Sequence, residues 1–403
     1  WTNTAALERA GITSRTADPP NGRIDRDPQS GELVGSFQES AMDLVLLHTP
    51  PPPADRLLDA LRYSVRLMNS LGVTAWQDAS VSVQPADPLQ ALATYKRLHG
   101  SGELTARVVE SLLWDNARGL EQLDGIRDAA QRFASAGLNT RTVKIFLDGV
   151  VETQTAALID EYADRPGFSS HVQVAPEALN AAVAALDADG FQVHIHAIGD
   201  RAVRVALDAF EFVRAGNGVN DNRHHIAHIQ MIHPDDQGRF VKLGVVANFQ
   251  PLWAFADDYI VKLTYPRLGD ERMKYVYPIG NIWKTGAKVA FGSDWSVSSA
   301  NPLQGIEVAV SRMGPLGETI TPFLPEQRIT LEQAIASYTV NAAFVNHLDD
   351  MTGTIQAGKR ADLIVLDRNL FEVPPQEISD ARVLLTLFDG TAVYGSLDDV
   401  AFH

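Results

Sequence analysis

Cysteine is absent from the 403-residue chain. Disulfides, thiolate metal sites and cysteine nucleophiles are therefore excluded, and any transition metal must sit on His, Asp, Glu or a modified Lys. Basic residues are also in short supply, 34 Lys and Arg against 50 Asp and Glu, for a formal charge of -16. Such a balance disfavours phosphate backbones and anionic lipid surfaces, so neither a nucleic acid nor a membrane is an expected partner. No apolar run approaches the roughly 20 residues that span a bilayer, and no signal peptide is evident, which makes a cytoplasmic protein the expectation. What the chain does have is 45% hydrophobic residues, enough for one large barrel or two ordinary domains.

From residue 60 onward, short β-rich apolar runs alternate with helical patterns, as in βα units around a parallel sheet. Seven strands are expected, at residues 73–79, 104–113, 142–148, 191–197, 224–230, 245–250 and 288–294. Between them, "PEALNAAVAALDADG" spaces Leu179, Ala182, Val183 and Leu186 along one helical face and stops at Gly190. The common barrel needs eight strands, so one is disguised or lies elsewhere. "DLVLLHT" (43–49) is the internal candidate, but its consecutive apolar residues and the prolines that follow read as the end of a helix. Residues 1–60 read as a long excursion, 61–350 as the barrel region, and 351–403 as a small appended β unit turning at Gly358 and at Asp389-Gly390.

Catalytic residues of parallel barrels sit at the C-terminal ends of strands. Four such ends carry metal-competent side chains: Lys144, His196, His228 and Asp294. Each has a plain alternative, a hydrogen-bonded core histidine, a helix cap or a lysine reaching out to water. His194 shares a strand face with His196, so a His-x-His clamp is geometrically open to this segment. Asp200 reads as a cap for the helix beginning at Arg201.

"HAIGDRA", "HIAHIQ", "FGSDWSVSSANPLQGIEVAVSR", "YTVNAAF" and "GTIQAGKRADLIVLD" resemble, in order and spacing, the amidohydrolase superfamily. Within it they look like the branch of YtcJ-like or N-substituted formamide deformylase-like hydrolases (amidohydrolase family 3). The resemblance implies an α/β fold, a TIM-like (β/α)8 metal-dependent hydrolase barrel, with a small appended β-sandwich domain. It also implies that residues 1–60 are an insertion between the first and second barrel strands. The barrel is then expected to be incomplete at its first strand, which in the family carries the His-x-His clamp, so a missing N-terminal segment or a companion chain is an expected partner. The strand of "QVHIHAIGDRA" becomes the fifth, supplying one ligand, His196, with His194 as a packing neighbour.

By the same resemblance, His196 and His228 bind a divalent metal, Zn²⁺ first, with Fe²⁺ or Mn²⁺ as alternatives. Asp294 approaches the metal and takes the proton of the attacking water, and His228 stands beside it in catalysis. Lys144, carboxylated or a plain ammonium, is the fourth candidate ligand. Trp253 and Trp295 would frame a pocket for a small-molecule substrate, with core packing as the alternative. Ala227 departs from the family, where a Glu is common, and puts a substrate contact in doubt. The implied activity is hydrolysis of a C–N bond, amide, N-acyl or N-formyl, by a metal-activated water. The alternatives are a deaminase of the same superfamily, or a non-catalytic or truncated relative acting as a binding subunit. A homo-oligomer is also open.

Overall fold

The structure, a computed structural model, describes residues 1–83 and 90–399. Its first sheet is an antiparallel hairpin of β1 (Gly22–Arg26) and β2 (Leu33–Glu39). Ile24 and Phe37 pack with Ile12 and Ala41 into a small apolar cluster separate from the main core. Residues Asp43–Leu46 are helical, as the sequence predicts for "DLVLLHT".

All seven expected strands form: β3 (Ala75–Val81), β4 (Arg107–Leu113), β5 (Asn139–Phe146), β6 (Gln192–Ala197), β7 (His225–His228), β8 (Val246–Phe249) and β9 (Val289–Phe291). They pair in sequence order, every pair parallel. Crossover helices make this order: a parallel neighbour cannot be reached by a tight turn, so the chain returns along the outside of the sheet before each new strand. The helix Pro176–Ala188 shows how the sequence does it. Proline opens it, where an amide donor is not needed, and Leu179, Ala182, Val183 and Leu186 are buried against the sheet. Gly190 then takes a left-handed φ of 78° that lets the chain turn into β6. Each buried leucine or valine side chain of this face contributes roughly 1.5–3 kcal/mol.

Among the described residues β3 and β9 each have one strand neighbour and do not pair with each other. The sheet is thus an incomplete TIM-like barrel, open between its first and last strands. A cavity of about 950 Å³ lies there, bordered by Trp76 and Gln77 of β3 and Phe291 of β9.

At the N-terminal ends of the strands, buried Asp187 ties three segments together. Its carboxylate accepts from Asn217 Nδ2 (2.8 Å), Asn220 Nδ2 (2.7 Å), Asn222 Nδ2 (2.7 Å) and His224 Nε2 (2.9 Å). Burial pushes its pKa up, but these bonds outweigh that and hold the carboxyl well below its usual range.

The C-terminal unit is a three-stranded antiparallel sheet of β10 (Leu363–Leu366), β11 (Val383–Phe388) and β12 (Thr391–Tyr394). Arg107 at the start of β4 makes a two-pronged bond to Asp362 (3.1 Å each), and Thr386 Oγ1 donates to the Asn69 carbonyl (2.7 Å). No described helix is long and apolar enough to cross a membrane.

Candidate active site

Strand alternation and register decide which side chains meet inside the barrel. Lys144 pairs with His194 and Phe146 with His196, while His194 pairs with His225. Residues 144, 194 and 225 therefore form one layer, and Lys144 Nζ stands 3.0 Å from His194 Nε2. His194 and His225 rings are 4.0 Å apart. One layer nearer the C-terminal ends, the rings of His196 and His228 meet edge to face at 4.5 Å. Trp253, on the short helical turn after β8, stacks on His228 at 5.7 Å and 11°.

Hydrogen bonds fix the tautomers. A carbonyl can only accept, so the 3.2 Å contact between His196 Nε2 and Gly149 O puts the proton on Nε2 and the lone pair on Nδ1. His228 Nδ1 donates to Gln250 Oε1 at 2.7 Å, an orientation set by Gln250 Nε2 donating to Asn248 Oδ1, and Nε2 keeps its lone pair. His194 Nδ1 likewise donates to Gln77 Oε1 (2.7 Å), whose Nε2 donates to Asn346 Oδ1 (3.1 Å). His225 Nε2 is buried without a partner.

Burial also sets the charge states. Desolvation, with Lys144 nearby, pulls His196 down to about 3 and His194, His225 and His228 well below the usual imidazole range. The rings are neutral and their free nitrogens are ligands or bases. Desolvation draws Lys144 down to about 7, opposed by Asp294. Asp294 is raised by burial, with Lys144 pulling the other way. Three residues at these strand ends hold left-handed backbone, His228 (φ 78°), Ile229 (φ 48°) and Asp294 (φ 52°). Such conformations persist only where the surroundings enforce them, and they gather at functional sites.

The cavity between β3 and β9 is lined by Lys144, His194, His225, His228, Asp294 and Trp295. This differs from the sequence expectation in two ways. His196 is not among the lining residues, because its ring is drawn to the Gly149 carbonyl, with Asp148 Oδ1 3.6 Å from Nε2. Nor do His196, His228 and Asp294 close on one point: among the described residues, no three His, Asp or Glu side chains are grouped so as to hold an ion. Neutral imidazoles and a carboxylate are suitable ligand chemistry for a divalent cation, and the unpartnered His225 Nε2 is a further polar atom awaiting a bond. The donors fit in kind and are partial in number. Trp253 meets the site through His228, and Trp295 is 39% exposed at the cavity. Asp200 is not the cap the sequence suggested: the helix begins at Asp200 itself with Gly199 at the N-cap, and the Asp200 carboxylate accepts from Arg201 N and from Ile159 N (2.9 Å each), tying a loop to the helix start.

Sequence reasoning passed over Gln77, Asn248, Gln250, His225 and Asp148. The first three orient or neighbour the histidines, and glutamine or asparagine on a strand gives no spacing signal. Asp148 had one, a charged residue directly after an apolar strand. It is fully buried and accepts from the backbone N–H groups of Ala157, Ile198 and Gly199 (2.9 Å each).

Comparison with known proteins agrees with this architecture. Protein LONG AFTER FAR-RED 3 of Arabidopsis thaliana is 31% identical over 395 residues, 97% of this chain and 66% of that protein, so the chain spans just under two-thirds of this relative's length. N-substituted formamide deformylase of Arthrobacter pascens is 27% identical, covering 98% of this chain and 71% of the enzyme. An uncharacterized metal-dependent hydrolase from Pyrococcus furiosus shares the fold with a TM-score of 0.68 at 24% identity, over 93% of this chain and 70% of that one. The pattern of the amidohydrolase family itself matches residues 1–394, and with that match the chain belongs to the amidohydrolase family.

Proposed function

We propose that this chain carries the barrel of a metal-dependent hydrolase that splits a C–N bond, amide, N-acyl or N-formyl, in a small molecule. The observation that carries this reading is the placement on one cavity of Lys144 from within β5, His228 at the C-terminal end of β7 and Asp294 just beyond β9. The likeness to an N-substituted formamide deformylase supports the bond type. A divalent cation, Zn²⁺ by its preference for nitrogen and carboxylate donors, supplies Lewis acidity and a more acidic water when bound. His196, His228 and Asp294 would hold it, through His196 Nδ1 and His228 Nε2, and Lys144, drawn down to about 7, is available in part as the free amine for carboxylation.

The chain's own residues do the rest. Asp294, its pKa raised by burial, accepts a proton from the attacking water and passes it to the departing nitrogen. Gln250 fixes the His228 tautomer, and the Trp253 ring restrains that imidazole from one face. Trp295 offers an apolar surface to the substrate at the cavity. The products are a carboxylic acid and an amine.

The test is metal content together with turnover of a panel of N-formyl and N-acyl amines and of cyclic amidines. Metal with release of amine supports the reading. Ammonia from amidines alone makes the chain a deaminase. No metal and no turnover overturns it and favours a binding subunit without catalysis, the second reading, which the partial donor set supports.

A further inference from the structure

The hairpin β1–β2 ends in a residue whose backbone is unusual for its type. Glu39 has φ 51° and ψ -132°, a conformation natural to glycine and strained for a side chain. Something must hold it there. Its carboxylate reaches the barrel mouth, where Oε1 accepts from Thr155 Oγ1 (2.9 Å) and Oε2 from Gln173 Nε2 (3.1 Å).

Both partners are fastened to the chain that follows β5. Thr155 Oγ1 accepts from Val150 N (2.9 Å), and Gly149 N donates to Thr155 O (3.1 Å). Gln173 N donates to Leu147 O (2.7 Å). A Cβ at Gly149 would overlap both Thr155 Oγ1 and Glu39 Oε1, so these groups close directly over that glycine. The Gly149 carbonyl in turn receives the His196 Nε2–H. Asn21 Nδ2 to Gln173 O (3.3 Å) and Arg23 Nη2 to Thr153 O (3.1 Å) clamp the same two segments to the hairpin.

We propose that Glu39 is a positioning residue: through Thr155 and Gly149 it fixes the tautomer and orientation of His196, so the hairpin is a cap coupled to the site rather than an idle excursion. The geometry of this coupling stands by itself, while its catalytic consequence rests on the function proposed above. Nothing in the relay is a reacting atom. Glu39 sets only where the Gly149 carbonyl stands, and that carbonyl keeps the imidazole proton on Nε2 and the Nδ1 lone pair free.

The experiment is nitrogen NMR of the histidine rings in this chain, with His196 assigned by loss of its signals in His196→Gln. Wild type should show His196 as a single Nε2–H tautomer. Glu39→Ala should give mixed shifts at His196 and leave His224, far away at Asp187, unchanged. Glu39→Gln keeps an oxygen for Thr155 and, with the Gln173 amide turned over, both bonds, so it should restore the wild-type signature. Thr155→Val should reproduce Glu39→Ala, and it serves as the independent variant if Glu39→Ala does not fold. An unchanged His196 tautomer in either disruptive variant that folds overturns the coupling, whatever happens to its stability. Because the readout needs no substrate, a chain without hydrolase activity would still decide it.

Discussion

The middle of the parallel sheet and its two ends are built differently. β6 has a hydrogen-bonded strand on each side and six buried residues in succession. β3 has one strand neighbour, and its first six residues are at least partly exposed. β9 is buried but also has a single neighbour among the described residues. The candidate site draws on both regions: Lys144, His194, His196 and His228 come from the doubly paired centre, Asp294 and Gln77 from the two ends. Register places the histidine backbones, and bonds to Gln77, Gln250 and the Gly149 carbonyl orient their rings, whereas Asp294 follows β9 at the opening between β3 and β9. Unpaired strand edges carry backbone groups that need partners.

The largest effect should come from the edge. Asp294→Asn keeps the shape and one oxygen, so the fold is expected to persist while turnover of N-acyl amines falls by about 10² to 10⁴, the usual share of a positioned acid–base group. Equal rates in both proteins would remove Asp294 from the chemistry. In the centre, Asp148→Ala strips the acceptor from three buried N–H groups and should cost about 3 kcal/mol or more in urea unfolding. Asp78→Asn on the edge strand, which accepts from Tyr95 OH (3.0 Å) and from Ser80 N (3.4 Å) and keeps an oxygen in the variant, should cost about 1 kcal/mol. Similar losses for the two would break the contrast.

Glu110 on β4 sharpens the comparison through pH. Both its carboxyl oxygens are buried without partners, and desolvation, with Asp78 beside it, raises its pKa from 4.5 to about 8. The folded state thus prefers the protonated acid. The stability it contributes is complete below pH 4.5 and is lost as pH rises toward 8, at about 1.4 kcal/mol per pH unit. Between pH 5.5 and 7 the wild type should lose about 2 kcal/mol relative to Glu110→Gln; parallel stability curves would contradict this. The smallest effect is local opening. Amides on the unpaired side of β3 should exchange at least about tenfold faster than those of β6, and equal protection would mean that the edge is covered.

Much of the fold was legible because each strand is a short apolar run between turn residues, and all seven appear within a few residues of their expected bounds. The open barrel followed from counting them. At the site, Lys144, His228 and Asp294 were visible as metal-competent residues at strand ends. The choice between His194 and His196 came from the family resemblance alone, because alternation puts both on one face; in the structure the register with Lys144 and the bond to Gly149 distinguish them. Gln77, Gln250 and Glu39 act through contacts made across more than a hundred residues, or through a bond to one ring nitrogen, and no local pattern announces either.

The Asp187 knot at the far end of the barrel has a bearing on chemical ageing. Asn217 is followed by Gly218, the dipeptide whose small second residue leaves the asparagine amide open to attack by the next backbone nitrogen. Its amide donates to Asp187 Oδ2 and to Ala184 O, and the bonds slow that attack while they last. Once deamidated, position 217 would carry a carboxylate against the carboxylate it used to serve, turning a donor into a like charge. Loss of this first amide should loosen the loop that presents Asn220 and Asn222 and expose them in turn. Stored protein would then accumulate acidic forms in steps, visible as successive peaks on ion exchange, with Asn217→Ser removing the first of them.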